Sequence, residues 1–395
     1  MSTLDTPTGP VSLDSPSAHP IDRPVATLCG IGLAVPAART QVDLAAVQAD
    51  AWGLSGAERA RWQRIVEGSS IERRHVVADP ERWMRATTAE RMCGFEEFAP
   101  ELAHQAASRA LQASGIEPHR VTDLVFVTCT GFAAPGVGTA IAPRLGLSSG
   151  VRQTQIGFMG CFGGILGLRA AIGAVSAEPN GVALVVCVEL CSLHLRAETS
   201  PQNLVASALF ADGAAAAVVA GGAHRSGRVG TREADHRGRV TLGPLALGPL
   251  TLGPLTLGYS RVLHEARDAM TWRITDTGFA MTLTREVPAA LEREIAACVS
   301  SDGVRGLVIH PGGPGIIDAV ERGLHRSFAM DSIDPRSFEA SRAILREYGN
   351  MSSGSVLFVL DRYLRDGGER PLEMVAFGPG VSIETLGIGS EGVWR

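Results

Sequence analysis

One cysteine of the chain stands in a setting that suits a nucleophile. Cys161 lies in the segment GFMGCFGGILGLRAA, residues 157–171, where glycines lead into a predicted helix. Glycine permits sharp turns and close approach of a substrate, and a helix N-terminus favours the thiolate, which is the reactive form of cysteine. We therefore predict that Cys161 is a thiolate nucleophile. Taken alone, the same pattern also fits a small buried cysteine in a glycine-rich helix contact.

Two polar residues in the second half of the chain could assist such a thiolate. His310 follows a predicted strand and precedes the loop PGGPG, and Asn350 lies in EYGNMSSGS just before a predicted helix. Imidazole can carry the proton of a thiol near neutral pH, and an Asn amide can hydrogen-bond an enolate or thioester oxygen without adding charge. Cys161, His310 and Asn350 are therefore predicted to form a catalytic triad. The CGSCW-like neighbourhood of papain-like proteases is absent.

The composition excludes several other chemistries. All 36 basic residues are Arg, so Schiff-base, pyridoxal-phosphate and Walker-type mechanisms that need lysine are excluded. The net charge of -5 argues against a nucleic-acid binder. The seven cysteines form no CxxC pair, so we expect no disulfide framework, no metal site and a reducing cytosol. No apolar run reaches the roughly 20 residues of a bilayer span, so we expect none.

Helical segments alternate with short apolar strands along the chain, which predicts an α/β sheet covered on both faces. A strand followed by CTG precedes the Cys161 segment, and a strand followed by HPGG precedes the Asn350 segment, which indicates two duplicated halves. The predicted strands are 121–128, 181–188, 214–220, 304–309 and 373–377, and the predicted helices are 101–115, 162–175, 287–299 and 353–365.

Four segments divide the chain. Residues 1–23 are predicted to be a disordered tail, 24–240 the half with the nucleophile, and 259–395 the half with His310 and Asn350. Between them, the repeat LGPLALGPLTLGPLTLG has proline every five residues. Because proline is excluded from helix interiors and central strands, we predict that residues 241–258 form an inserted, extended loop without a chemical role.

Four motifs together resemble those of type III polyketide synthases, the chalcone-synthase-like enzymes: GCFGG at 160–164, HPGGPGIID at 310–318, YGNMSS at 348–353 and FGPG at 377–380. The resemblance implies a thiolase-like αβαβα layered fold, a homodimer and a cytoplasmic bacterial enzyme without a cofactor. It implies that a starter acyl group moves from coenzyme A to Cys161 and that malonyl-CoA is decarboxylated. The resulting enolate then extends the thioester, with its oxygen and the thioester carbonyl held by His310 and Asn350.

The resemblance also implies positions for the substrates. Arg61 and Arg64 match basic positions that hold the phosphates of coenzyme A, whereas a third such position is Gly68 here. Phe210 resembles a gating phenylalanine, and Phe377 and Gly378 resemble a cyclisation loop. The predicted substrate pocket comprises Phe210, Cys129, Cys191, His194, Met281, Phe377 and Gly378.

Departures from plant members point to a different starter. Plant members usually have threonine at Cys129, Cys191 and His194, a second gating phenylalanine at Met281 and methionine at Ala134. The segments CVELCSLHL, 187–195, and AMTWRITDTGF, 269–279, are more similar to bacterial alkylresorcinol and alkylpyrone synthases. We therefore expect a fatty acyl-CoA starter and an alkylpyrone or alkylresorcinol product.

Three alternatives remain open from the sequence. Cys129 is also similar to the cysteine of bacterial tetrahydroxynaphthalene synthases, which use malonyl-CoA as starter. A ketoacyl synthase III-like enzyme shares the fold and triad but condenses once. A catalytically silent scaffold of this fold is the third alternative, although the intact Cys161, His310 and Asn350 argue against it.

Overall fold

The computed structural model describes residues 26–77, 79–223, 252–300, 303–326 and 333–389. The predicted tail, 1–23, and residues 241–251 of the predicted insert lie outside this range. The described residues form an α/β structure in which helices cover both faces of a mixed sheet.

Nine strands form one sheet that consists of two equivalent halves. The strand order is β11-β12-β13-β8-β1-β7-β6-β4-β5. In each half two antiparallel pairings are followed by a parallel one: β1–β7, β7–β6 and β6–β4 in the first, β8–β13, β13–β12 and β12–β11 in the second. The strands are β1 Ala26–Ala34, β4 Asp123–Thr128, β5 Arg152–Gly157, β6 Val182–Leu190, β7 Asp212–Gly221, β8 Gly253–Val262, β11 Gly306–Ile309, β12 Leu372–Gly378 and β13 Ser382–Ile388.

Two small two-stranded antiparallel sheets and eleven α-helices also occur among the described residues. The strands of the small sheets are β2 Ala38–Thr40 with β3 Arg73–His75 and β9 Met270–Thr275 with β10 Gly278–Leu283. The helices are α1 Gln41–Ala51, α2 Gly56–Glu67, α3 Pro80–Trp83, α4 Thr88–Ser114, α5 Val137–Arg144, α6 Gly163–Ala177, α7 Pro201–Leu209, α8 Glu286–Glu294, α9 Pro314–His325, α10 Arg336–Tyr348 and α11 Ser355–Arg365.

The central core lies where α6 and α11 meet strands of both halves. Ile165 and Leu168 of α6 pack in one cluster with Val356 and Leu360 of α11. The same cluster contains residues of β6, β7, β12 and β13, so the two helices form a layer shared by the halves. Helix α4 covers the outer face of the first half, and α8 and α9 pack with the second. This arrangement of layers is the thiolase-like fold that the sequence predicted.

Two predictions about elements were wrong. The helix predicted at 101–115 begins at Thr88, because a capping box between Thr87 and Glu90 starts it earlier. Residues 253–258 of the predicted insert belong to the central strand β8. Pro254 is the second residue of that strand, near the strand start where a missing backbone N–H is tolerated best, and its carbonyl still accepts a hydrogen bond from the Gly389 N–H.

The segment Gly160–Ala177 is long and apolar enough to span a membrane by length and composition alone. It contains α6, whose apolar residues lie in the central core. The buried core helix of a soluble protein can have the same length and apolar composition, so this segment is weak evidence for a membrane span.

Candidate active site

Cys161 lies in a tight turn at the start of the shared helix layer. The turn Gly160–Phe162 is one turn of 3-10 helix that leads directly into α6. Gly160 has a φ of +76°, and a Cβ added there would lie 2.2 Å from the Cδ of Pro379. Glycine is therefore required for the backbone to bring Cys161 against the end of β12.

Two side chains of the second half hydrogen-bond the thiol. The Ser352 hydroxyl and the Asn350 amide both contact Cys161 and lower its pKa. The Ser352 N–H in turn donates to Asn350 Oδ1 at 2.9 Å. Ser352 has a φ of +47°, an uncommon conformation for a residue with a side chain, and such conformations cluster at functional sites.

Asn350 is fixed by contacts on both sides of its backbone. Its N–H donates to the Leu209 carbonyl at 2.9 Å, and its carbonyl accepts from the Ala211 N–H at 2.8 Å. Its side-chain Nδ2 donates to the Gly312 carbonyl at 3.4 Å. Asn350 thereby links the thiol of the first half with the loop that follows His310.

His310 is 1 % exposed at the end of β11. Its backbone N–H donates to the Val375 carbonyl at 2.8 Å. Within the described part of the chain, neither ring nitrogen has a hydrogen-bond partner. Burial lowers the pKa of the imidazole to about 3, so the ring is neutral.

The protonation state of Cys161 differs from the sequence prediction. Burial raises the pKa of its thiol to about 12, and the hydrogen bonds from Ser352 and Asn350 offset this only in part. The carboxylate of Glu189 raises the pKa further. The raised pKa favours a neutral thiol in the unliganded site, and the lowered pKa of His310 favours a neutral imidazole.

A mostly apolar cavity opens from Cys161. Four of the seven predicted pocket residues line it: Phe210, Cys191, His194 and Met281. Its wall also contains residues that the sequence reasoning did not assign: Leu44, Gln48, Arg74, Val76, Pro80, Thr130, Gly160, Ser192, Leu195, Asn203, Ala206, Ser207, Met270, Trp272, Phe279, Ser352 and Pro379. Trp272 and Phe279 lie in AMTWRITDTGF, a segment that the resemblance had already marked.

The other three predicted pocket residues lie behind this wall. Cys129 is fully buried, and its Sγ accepts a hydrogen bond from the Gly160 N–H at 2.9 Å. Thr130, the next residue, lines the cavity in its place. Phe377 belongs to the core of the second half. Gly378 packs against the ring of Phe162, and Pro379 is the residue of this loop that reaches the cavity.

A second groove runs along the surface beside the His310 loop. It is lined by Arg64, Gly68, Arg285 and the loop Gly312–Gly313, among other residues. Arg61 is exposed on the same helix, α2, but does not line the groove. The sequence reasoning missed Arg285, which no motif marked. No cluster of His, Cys, Asp and Glu suited to a metal ion occurs among the described residues.

Comparisons with known proteins agree with this geometry. The N-terminal domain of chalcone and stilbene synthases matches residues 21–223, and the C-terminal domain of the same family matches residues 255–391. Alpha-pyrone synthesis polyketide synthase-like Pks18 of Mycobacterium tuberculosis is 30% identical over 84% of this chain and 83% of its own length. Probable polyketide synthase 1 of Dictyostelium discoideum is 30% identical over 82% of this chain, which spans only 10% of that longer protein.

Two solved structures share the fold over nearly the whole chain. PKS-I of the brown alga Ectocarpus siliculosus has a TM-score of 0.79 and 27% identity, covering 93% of this chain and 99% of its own. The C-terminal type III polyketide synthase domain of Steely1 from Dictyostelium has a TM-score of 0.78 and 28% identity, covering 92% and 99%.

The fold and the cysteine at the cavity define an acyltransferase of the thiolase-like class. Because both family domains match in order and together cover most of the chain, the protein belongs to the chalcone and stilbene synthase family, the type III polyketide synthases. Members of this family use coenzyme A thioesters as substrates and need no additional cofactor. The family match favours the polyketide synthase over the single-condensation enzyme and the silent scaffold.

Proposed function

We propose that this chain loads a fatty acyl group from coenzyme A onto Cys161, extends it with malonyl-CoA and cyclises the product to an alkylpyrone or alkylresorcinol. The observation that carries the proposal is the apolar cavity beside Cys161, whose wall includes the flexible side chains of Met270 and Met281. The relative Pks18, whose name describes alpha-pyrone synthesis, supports the same product class.

In the loading step, the Cys161 thiol gives its proton to the His310 imidazole. The thiolate then forms a bond to the acyl carbonyl carbon, and the bond from that carbon to the sulfur of coenzyme A breaks. The leaving thiolate takes the proton from His310. The burial of both groups supports this order, because it favours their neutral forms before the acyl-CoA arrives.

In the extension step, the carboxylate of malonyl-CoA leaves as carbon dioxide and its electron pair forms an enolate. Asn350 and His310 hold the enolate oxygen and the thioester carbonyl by hydrogen bonds. The enolate carbon attacks the thioester, and Cys161 is released as a thiolate. The contact between Asn350 and the thiol supports this role for the amide.

The groove beside Gly312 suits the coenzyme A portion of both substrates. Arg64 and Arg285 offer two positive charges there, and we assign phosphate binding to Arg64 with Arg61 nearby.

Replacing Arg64 by Ala should raise the KM for malonyl-CoA about tenfold, because one charge-assisted contact is lost. An unchanged KM would remove Arg64 from the binding site.

We also infer that the chain forms a homodimer through the apolar surface beside the nucleophile turn. Phe132, Phe158 and Met159 are 44%, 50% and 38% exposed, and the rings of the two phenylalanines lie 6.3 Å apart. Light scattering should give twice the chain mass. Phe158→Glu should weaken the dimer, whereas Val42→Glu, at a 75% exposed position on α1, should not. A monomeric parent protein would contradict this inference.

The test of the proposed function is a starter series. Each methylene buried in an apolar tunnel adds roughly 0.8 kcal/mol. Apparent affinity should therefore rise along saturated acyl-CoA starters until the tunnel ends, with alkylpyrones or alkylresorcinols seen by mass spectrometry. Efficient turnover of malonyl-CoA alone to tetrahydroxynaphthalene would overturn the fatty acyl assignment and favour a tetrahydroxynaphthalene synthase.

A further inference from the structure

The imidazole of His194 is a fixed part of the cavity wall. Its Nε2 lies 2.7 Å from the backbone carbonyl of Thr130. One face of the ring stacks on Phe279, with centroids 3.9 Å apart and planes at 16°. Phe279 is itself held edge-on against Trp272, with centroids at 5.2 Å. The orientation of the His194 ring is therefore set by both a hydrogen bond and a stacked aromatic pair.

The backbone on either side of His194 is also held. The buried guanidinium of Arg91 donates hydrogen bonds from Nη1 to the carbonyls of Leu193 and Leu195, the latter at 2.9 Å. A fully buried arginine that binds both neighbours leaves the turn at His194 little freedom. The positive charge of Arg91 also disfavours a second positive charge on the imidazole.

These contacts determine the tautomer of His194. A backbone carbonyl can only accept, so Nε2 carries the hydrogen and donates it to Thr130. Burial lowers the pKa of the imidazole to about 4, so the ring is neutral and Nδ1 holds a free lone pair. Among the described residues Nδ1 has no hydrogen-bond partner. A buried acceptor without a partner costs free energy unless a ligand satisfies it.

His194 shares this property with the predicted catalytic imidazole. In the described ranges, buried side-chain nitrogens without a partner occur only on His194, His310 and two arginines, Arg169 and Arg196. Of these, only the histidines carry a lone pair that can take a proton. His194 lines the same cavity as Cys161, so its ring belongs to the wall of the region in which a chain attached to Cys161 would lie.

We propose that His194 is a second proton acceptor of the cavity, and that it binds the enol hydroxyl of a β-keto chain held on Cys161 and promotes closure to a pyrone. This inference rests on the proposed function, because it needs a poly-β-keto thioester.

The closure balances without any further reactant. The enol O–H gives its proton to Nδ1 of His194, and the enol oxygen forms a bond to the thioester carbon. The bond from that carbon to Sγ of Cys161 breaks, and the sulfur keeps the electron pair. The proton then returns from His194 to the Cys161 thiolate. The products are a pyrone and the free thiol.

Two variants separate this role from a structural one. Gln at position 194 can still donate to the Thr130 carbonyl from its amide, but it offers no basic lone pair in place of Nδ1. Phe at position 194 loses both interactions and keeps an aromatic ring for stacking on Phe279. The assay uses malonyl-CoA with octanoyl-CoA and measures coenzyme A release and pyrone in the same sample, with melting temperature as a check of folding.

We expect His194→Gln to form about tenfold less pyrone per coenzyme A released than the parent, with linear keto acids in its place. This loss of pyrone is smaller than the loss expected on removing a strong general base, because burial makes the imidazole of His194 weakly basic. His194→Phe should show the same loss of pyrone. If His194→Gln keeps the parent's pyrone yield, the hydrogen bond to Thr130 explains the residue and the proposal is overturned. A parent enzyme that makes resorcinol but no pyrone from octanoyl-CoA would overturn the inference alone, whereas one that makes neither would overturn the proposed function and the inference with it.

Discussion

Burial controls the reactivity of the two groups that exchange a proton in the proposed reaction. Burial of Cys161 and His310 removes solvation from their charged forms, so each group favours its neutral form. Hydrogen bonds from Ser352 and Asn350 lower the pKa of the thiol. The thiolate is therefore expected to form only as its proton passes to His310 and the substrate is attacked.

This protonation state predicts the pH dependence of alkylation. With a thiol pKa of about 12, Cys161 is almost wholly protonated between pH 7 and pH 9. Its reaction with iodoacetamide should accelerate about tenfold per pH unit over this range, because the thiolate fraction rises with hydroxide. Peptide mapping by mass spectrometry would give the rate, with exposed Cys93 as an internal reference. A rate that is already constant at pH 7 would instead indicate a resting thiolate–imidazolium pair.

Motifs predicted the reactive residues better than the pocket walls. Cys161 and Asn350 were named from their types and flanks, and the structure joins them by a hydrogen bond. Cys129 and Phe377 were assigned to the pocket but face inward. In continuous apolar strands, sequence alone does not show which neighbour of a pair faces a cavity, because both faces are buried.

At the scale of elements, the turn before α6 and the loop after β12 depend on each other. Gly160 and Pro379 come from different halves and meet beside Cys161. Their contact leaves no room for a side chain at position 160, so the position of the nucleophile depends on both loops.

Gly160→Ala should therefore displace the nucleophile. The added Cβ would lie 2.2 Å from Pro379 in a backbone with positive φ, which should lower the free energy of unfolding by about 1–3 kcal/mol and slow acyl loading. Gly173→Ala is the matched control, because Gly173 lies on the helix that follows the turn, α6, and a Cβ there meets nothing within 4 Å. That change should stabilise the protein by up to about 1 kcal/mol. Equal denaturation midpoints for the two variants would refute this account of the turn.

Element types were predictable where the hydrophobic pattern was strong. Element boundaries were predictable only to within a few residues. The strand β6 and the helix α6 agree with prediction to within about two residues, as expected for buried apolar runs. Strand β8 was missed because its repeated Leu-Gly-Pro pattern resembles a loop. Pairing with β1 and β13, which are distant in sequence, makes it a strand, and local propensity carries no information on that pairing.

At the scale of the whole molecule, β8 connects the two half-sheets. It pairs with β1 of the first half over two residue pairs and with β13 of the second half along most of its length. Burial divides its apolar residues along the length of the strand, since Leu255 near its start is 6% exposed and Leu257, two residues later on the same side, is 59% exposed.

This division gives a prediction with an internal control. Leu255→Ala should lower the free energy of unfolding by about 2–5 kcal/mol, because it leaves a cavity in the core shared by the halves. Leu257→Ala should change it by no more than about 0.5 kcal/mol in urea unfolding. Comparable losses for both would show that β8 does not have the described register.

The central claim is that Cys161 carries the acyl chain, and intact-protein mass spectrometry after incubation with octanoyl-CoA tests it most directly. The parent protein and Cys93→Ala should each gain one octanoyl group, and peptide mapping should place it on Cys161. Cys161→Ala should gain none while keeping its melting temperature. An octanoyl group on Cys161→Ala, or one mapped to Cys191 in the parent, would contradict the account.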